Sequence, residues 1–283
     1  MLHNYLKIAL RSILKFKAYS FINLFGLALG FTSSILILIY VLDEISFDKF
    51  HVNAKKIYRV GTDMTDIKSG SINGRIEANG WPIGKLLAKD FAEVDQVVYV
   101  ANASNLPINH EGKRFDERIF YAGEEFLNMF TFPLLEGDAS TALRKPYSII
   151  LTESIRKKYF GDKDVLGKTL VLADSLSFEV TGIMKDVPQQ SHMQFGLLIS
   201  FSSYEVMNPW FNYNDGWGNL NVRNYITLKD GVDRDAFFAK ANDLYMNYVK
   251  KDMEKWGMLM YVKFEPLADI YLRTNRGNGM GPL

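Results

Sequence analysis

The chain has 283 residues, 33 Lys+Arg against 32 Asp+Glu, and a hydrophobic share of 48%. That length holds one large domain or two modest ones, and the balanced charge provides no global field that would point to nucleic acid. Cysteine is absent, which rules out a disulfide framework and any thiolate metal site.

Residues 2–16, LHNYLKIALRSILKF, repeat at helical spacing. Leu2, Leu6, Ala9, Leu10, Ile13 and Leu14 make one face, and Lys7, Arg11 and Lys15 recur every four residues on another. Lys17 completes a run of four cations with no acid among them. Two readings fit this lead (1–17): a helix lying along the membrane interface with its cations on anionic headgroups, or simply the positive lead of a membrane anchor.

Residues 18–42, AYSFINLFGLALGFTSSILILIYVL, contain no Asp, Glu, Lys, Arg or His. A hydrocarbon core of roughly 30 Å needs about 20 apolar residues, so a transmembrane helix is expected over 18–45. A cleaved signal peptide would carry an apolar region of about 7–15 residues and a small-x-small cleavage site; neither is found. The four cations precede the span, while Asp43, Glu44 and Asp48 follow it with only Lys49 nearby. The positive-inside rule then puts the N-terminus in the cytoplasm and the rest outside. Tyr19 and Tyr40 stand where an aromatic belt is expected. Gly26 and Gly30 form a GxxxG whose row continues through Asn23 and Ser34, beside the run Thr32-Ser33-Ser34. Small residues at that spacing admit another helix closely.

Beyond the span (46–283), KIYRVGTDM (56–64) reads as a strand. A helix follows from Pro82, with Ile83, Leu86, Leu87 and Phe91 on one face; VDQVVYVANA (94–103) is then a β-branched strand. A second strand–helix–strand unit occupies the end: a strand at 223–231, a helix from the N-cap Asp233 to about Tyr248, and a strand at 258–267. Phe237, Ala241, Leu244 and Tyr248 are expected to be its buried stripe. Between these units lie a short helix at 124–130, a strand at 146–151, the helix TESIRKKYF and a strand pair within 168–187. The expected fold is α+β, with the two βαβ units (55–116 and 223–275) paired as one subdomain and residues 117–222 inserted as a second lobe.

YFGDKDVLGKTL (159–170) imitates a phosphate-binding loop, because Gly167-Lys168-Thr169 closes a Walker A motif. The spacer after Gly161 holds five residues rather than four, and it includes acids that repel phosphate. The motif also ends a helix and leads into a strand, the reverse of what is needed. Gly161 is better read as a helix-terminating glycine and Gly167 as a turn glycine. His3, His51, His110 and His192 are scattered, with no HExxH. His192 is the best placed, and a solvated or hydrogen-bonded loop residue is its simpler reading. GSING (70–74) is not a nucleophile elbow. Glu124-Glu125 suits the first turn of a helix, and Arg156-Lys157-Lys158 a solvated face. No catalytic, cofactor or metal site is expected, nor any enzyme activity. NPWFNYNDGWGNL (208–220) gathers Trp210, Phe211, Tyr213 and Trp217 in a Gly/Asn-rich loop. Those rings either pin the loop to the core or present a surface to a sugar, lipid or protein partner.

Several collinear stretches together resemble MacB/FtsX-type ABC transporter permeases, over essentially the whole length. They are NYLKIALRSILKFKAYSFINLFGLALG, DEISFDKFHVNAKKIYRV, FLNMFTFPLLEGDASTALRKPYSIILTESIRKKYFGDKDVLGKTL, FEVTGIMKDVPQQSHMQF and FEPLADIYL. The resemblance implies a MacB-like periplasmic core domain with a porter-like subdomain and an inserted lobe, anchored in the bacterial inner membrane. Its implied partners are membrane lipid, a cytoplasmic ABC ATPase, a second permease in a homodimer or heterodimer, and a periplasmic adaptor; nucleic acid is not among them. Such permeases return to the membrane with further helices, whereas nothing after residue 42 reads as a span. A fragment or truncated product is therefore expected, unable to transport by itself. The alternative is a single-pass sensor or ligand-binding ectodomain, motivated by the lone span and the aromatic loop. A membrane-anchored hydrolase has no supporting constellation.

Overall fold

A computed structural model describes residues 2–102, 107–110, 113–161, 163–173, 175–208, 216–255 and 257–273. The N-terminal unit, Met1–Ser46, consists of two helices. Helix α1 (Leu2–Lys15) exposes Lys7, Arg11 and Lys15. The helical path breaks at Phe16 (φ −109°, ψ 58°) and resumes as α2 (Lys17–Glu44), in which no residue is buried. Among the described residues α2 is the one helix long and apolar enough to cross a membrane. The hydroxyls of Thr32, Ser33 and Ser34 donate to the carbonyls of Ala28, Leu29 and Gly30 at 2.8–2.9 Å. Their polarity is thus absorbed inside the helix itself, as a hydrocarbon environment demands.

The second unit is Phe47–Leu283. In chain order its elements begin with β1 (Ile57–Asp66), β2 (Ile72–Ile76), α3 (Pro82–Asp90), β3 (Val94–Asn102), β4 (Ile108–His110), β5 (Lys113–Phe115) and β6 (Ile119–Ala122). The middle holds α4 (Phe126–Met129), β7 (Leu134–Gly137), β8 (Ser148–Thr152), α5 (Glu153–Phe160), β9 (Thr169–Leu172), β10 (Leu176–Met184), β11 (Leu197–Ser200) and α6 (Phe201–Met207). Strand β12 (Arg223–Leu228), α7 (Arg234–Lys255), β13 (Met258–Pro266) and α8 (Leu267–Arg273) are the last elements among the described residues.

The strands form one mixed sheet, ordered β13-β1-β12-β3-β6-β11-β8-β10-β9-β4-β5, with β2 on β1 and β7 on β10. The first four are antiparallel, and the two βαβ units interleave: β12 lies between β1 and β3, and β1 lies between β12 and β13. This is the split βαβ arrangement. Residues from 119 onward extend the same sheet through Val100–Asn102 of β3 against Phe120–Ala122 of β6. The β4–β5 hairpin, although it falls within 55–116, reaches across to β9 through Ile108 and Leu172.

Period-2 alternation sends neighbouring side chains to different cores. Tyr121 joins Ile149, Leu151, Ile155 and Phe201 on one face, while Phe120 joins Ile150, Leu198, Phe126 and Leu267 on the other. Helices α3 and α7 cover the first four strands, burying Ile83, Leu87, Phe91, Phe237 and Ala241 with Tyr58, Val60 and Ile226. Asp233 caps α7 by accepting the Ala236 N–H at 3.2 Å. The α7 stripe differs from expectation. The buried line is Phe237, Ala241, Tyr245, Val249 and Met253; Leu244 is only half-buried and Tyr248 is 49% exposed. Rows at i+4 are inclined to the helix axis, so the line in contact with a twisted sheet follows them rather than a mixed i+3/i+4 stripe.

Candidate functional site

Among the described residues no group of three or more His, Asp or Glu side chains is arranged to hold a metal ion. The Walker-like stretch is a helix stop and a turn. Gly161 ends α5 at φ +61° with its N–H on the Lys157 carbonyl, and Gly167 turns into β9 at φ +72°. Both conformations favour glycine for backbone reasons, with no phosphate needed.

Of the aromatic loop, Trp210, Phe211 and Tyr213 lie outside the described residues. Trp217 is half-buried and stacks on Tyr248, with ring centroids 4.7 Å apart and planes at 17°. With Pro82, Lys85, Leu86, Ala88 and Lys89 of α3 these rings line a groove of about 510 Å³. Two glycines seat Trp217. A Cβ on Gly80 would lie 2.4 Å from the Gly216 carbonyl oxygen, and one on Gly216 would lie 2.2 Å from Trp81 Nε1. The ring therefore both packs on the third core and offers part of itself to solvent.

On α2, Asn23, Gly26, Gly30 and Ser34 are all exposed, and a Cβ at either glycine would meet nothing within 4 Å. Asn23 also lines a groove of about 530 Å³ with Ser12, Ile13, Phe16, Tyr19, Ser20, Leu24 and Leu27. Lys17, Tyr19 and Tyr40 are exposed along the same helix.

Two buried polar constellations escaped the sequence reading. In the first, Arg59 donates to Glu265 (2.9 Å) and to Glu77 (2.9 Å), and Arg223 donates to Glu77 (2.6 Å) and Asn102 (2.8 Å). Anions and cations alternate from Glu265 of β13 to Arg59 of β1, Glu77 just after β2 and Arg223 of β12, with the neutral Asn102 of β3 at the end; Arg223 also lies over the Phe120 ring at 5.8 Å. Buried charge is tolerated here because each guanidinium has a carboxylate.

In the second, the side chains of Asp48 and His51 are 1% and 0% exposed, and that of His192 is 7% exposed. His192 Nδ1 lies 2.9 Å from Asp48 Oδ1, and its Nε2 lies 2.9 Å from the Tyr225 hydroxyl. His51 Nδ1 accepts the Thr131 N–H at 2.9 Å. Burial pulls the His51 imidazole down to about 4, with Asp48 opposing that shift and His192 adding to it. Burial likewise raises the Tyr225 phenol above its usual range. His192 is thus hydrogen-bonded, as its loop position allowed, but inside the protein rather than in solvent. The i,i+3 spacing of Asp48 and His51 was the only local signal of this cluster; His192 and Tyr225 arrive through tertiary structure.

No curated protein matches the chain. Solved structures do. A domain assigned to a permease protein from Porphyromonas gingivalis aligns with TM-score 0.64 at 20% identity, covering 82% of this chain and 95% of that one. The periplasmic region of MacB from Actinobacillus actinomycetemcomitans aligns with TM-score 0.50 at 14% identity, covering 75% and 89%. These likenesses speak to the fold. The family model for the MacB-like periplasmic core domain matches residues 20–244, most of the chain. The chain belongs to that family, the MacB-like periplasmic core domain of ABC transporter permeases.

Proposed function

We propose that this chain serves as a permease subunit of a MacB/FtsX-type ABC transporter, coupling ATP hydrolysis by a partner ATPase to motion of its periplasmic domain for export or extrusion of a substrate. The observation that carries the reading is continuity. The family match runs from inside α2 to α7, so a membrane-length helix and the periplasmic domain share one polypeptide. MacB-like permeases work with cytoplasmic ABC ATPases.

Under this reading the N-terminus is cytoplasmic in the bacterial inner membrane, and Lys7, Arg11, Lys15 and Lys17 meet anionic headgroups. The open row Asn23, Gly26, Gly30 and Ser34 receives other helices, including those of a second permease. Residues 55–116 and 223–275 act as the porter-like subdomain and 117–222 as the inserted lobe. Trp217, with Trp210, Phe211 and Tyr213, contacts cargo or a periplasmic adaptor. Co-expression with candidate ABC ATPases from the same genome, followed by purification from membranes, should yield a complex that hydrolyses ATP. Recovery of the chain alone, fully membrane-inserted and without an ATPase, would overturn the proposal.

A further inference from the structure

We infer that Asp48, His51 and His192 form a proton-operated joint: with His51 neutral the three hold the segment that leaves α2 against β12 and the α4–β7 connection, and protonation of His51 lets that segment go. The joint is dense. Asp48 donates its backbone N–H to the Gln190 carbonyl at 2.8 Å and accepts the His192 N–H on Oδ1 at 3.2 Å. It does so from the left-handed region, at φ +58°, which Asp tolerates better than most residues. Four residues on, Val52 donates its N–H to Thr131 Oγ1 at 2.9 Å. Residues 48–52 are thereby fastened to the β10–β11 loop and to the chain after α4, and through His192 to Tyr225 of β12.

His51 is where a proton breaks this arrangement. Its Nδ1 accepts the Thr131 N–H, so the ring proton must sit on Nε2. That nitrogen has no hydrogen-bond partner, and its nearest carboxylate oxygen, Asp48 Oδ1, is 3.9 Å away. Asp48 Oδ2 is likewise unpartnered. The ring is packed by Phe50, Phe130 and Phe132, with centroids at 4.0, 5.2 and 5.0 Å. A second proton would set Nδ1–H against the Thr131 N–H and place a charge among three phenyl rings. The ionisable groups around it are few. Asp48 favours the charged ring and His192 opposes it, while Tyr225, behind His192, lies in the field of Arg59, Arg223 and Glu77.

The linkage has a definite sign. Held, the imidazole titrates at about 4; released, it returns to its ordinary value of ~6.5. The held form is favoured above pH 6.5, and each unit of acidification between those values shifts the balance about tenfold towards release. The joint stands on geometry alone. Its consequence, that acid frees residues 48–52 inside the periplasmic domain, rests on the permease reading above.

The cysteine-free sequence makes a clean test possible. Val52 is 83% exposed, so Val52→Cys in the full chain, reconstituted in lipid nanodiscs, accepts a single nitroxide. The expected result is an immobilised label at pH 7.5 and an opening constant larger by on the order of 70-fold at pH 4.5. His51→Asn keeps an acceptor for Thr131 but cannot titrate, and should hold the label at both pH values. Should that variant fail to fold, hydrogen exchange in the wild-type chain decides: protection of the Thr131 amide, corrected for intrinsic rate, must fall far more than that of Ile150. Equal label mobility at both pH values, an undiminished pH effect in His51→Asn, or parallel loss of protection at Thr131 and Ile150 overturns the joint. No ATPase takes part, so this outcome is independent of whether the permease complex assembles.

Discussion

Gly80 and Gly216 are the residues on which the aromatic groove depends. Neither has room for a methyl group, because the obstacles are backbone oxygens in one case and the Trp81 indole in the other. Gly80→Ala should destabilise the protein by about 1–3 kcal/mol through forced displacement of the 216–217 turn. Equilibrium denaturation together with a shifted tryptophan emission would register it; an unchanged midpoint would show that the turn yields freely. The same contacts explain why the role of Trp217 was only half legible. A Trp beside two glycines reads as a loop, and nothing local reveals that Tyr248, thirty-one residues later, stacks on it. His192 behaves the same way, since its partners Asp48 and Tyr225 are 144 and 33 residues distant in the chain.

At the scale of elements, the Glu265–Arg59–Glu77–Arg223 chain ties β13, β1 and β12 to the segment after β2. Replacing Glu77 with Leu leaves two buried guanidinium groups facing no shared carboxylate. A loss of roughly 3–5 kcal/mol is expected, read from urea denaturation at neutral pH; a loss below about 1 kcal/mol would mean water enters and solvates them. The long elements were readable: β1, α3, β3, α5, β12 and β13 lie where the sequence places them, although β12 and most of β1 are buried on both faces. Strands β6 (IFYA) and β11 (LLIS) were not. Both are buried on both faces, so they show no alternation, and four residues are too few to separate a strand from any other apolar run. The buried line of α7 was misjudged by one residue at Leu244 and Tyr248, because periodicity sets a face's width while the sheet beneath chooses its inclination.

For the whole molecule, the charge pattern around α2 makes orientation a direct prediction. A membrane-impermeant maleimide applied to cells with a permeabilised outer membrane should label Val52→Cys and spare Tyr5→Cys, both at exposed positions; the reverse pattern would invert the topology. Such a forecast is possible from sequence because a membrane reads composition: 25 residues without a charge, with cations on one flank, need no tertiary partner to be recognised. The strand–helix–strand order at both ends was equally local, since each helix and strand advertises its own period. Interleaving of the two βαβ units, continuation of their sheet into β6, β11, β8 and β10, and the meeting of Asp48, His51, His192 and Tyr225 were decided only in three dimensions. Those contacts join residues from about twenty to more than two hundred positions apart. Their free energy comes from burial shared between distant segments, and no stretch of the chain carries that information alone.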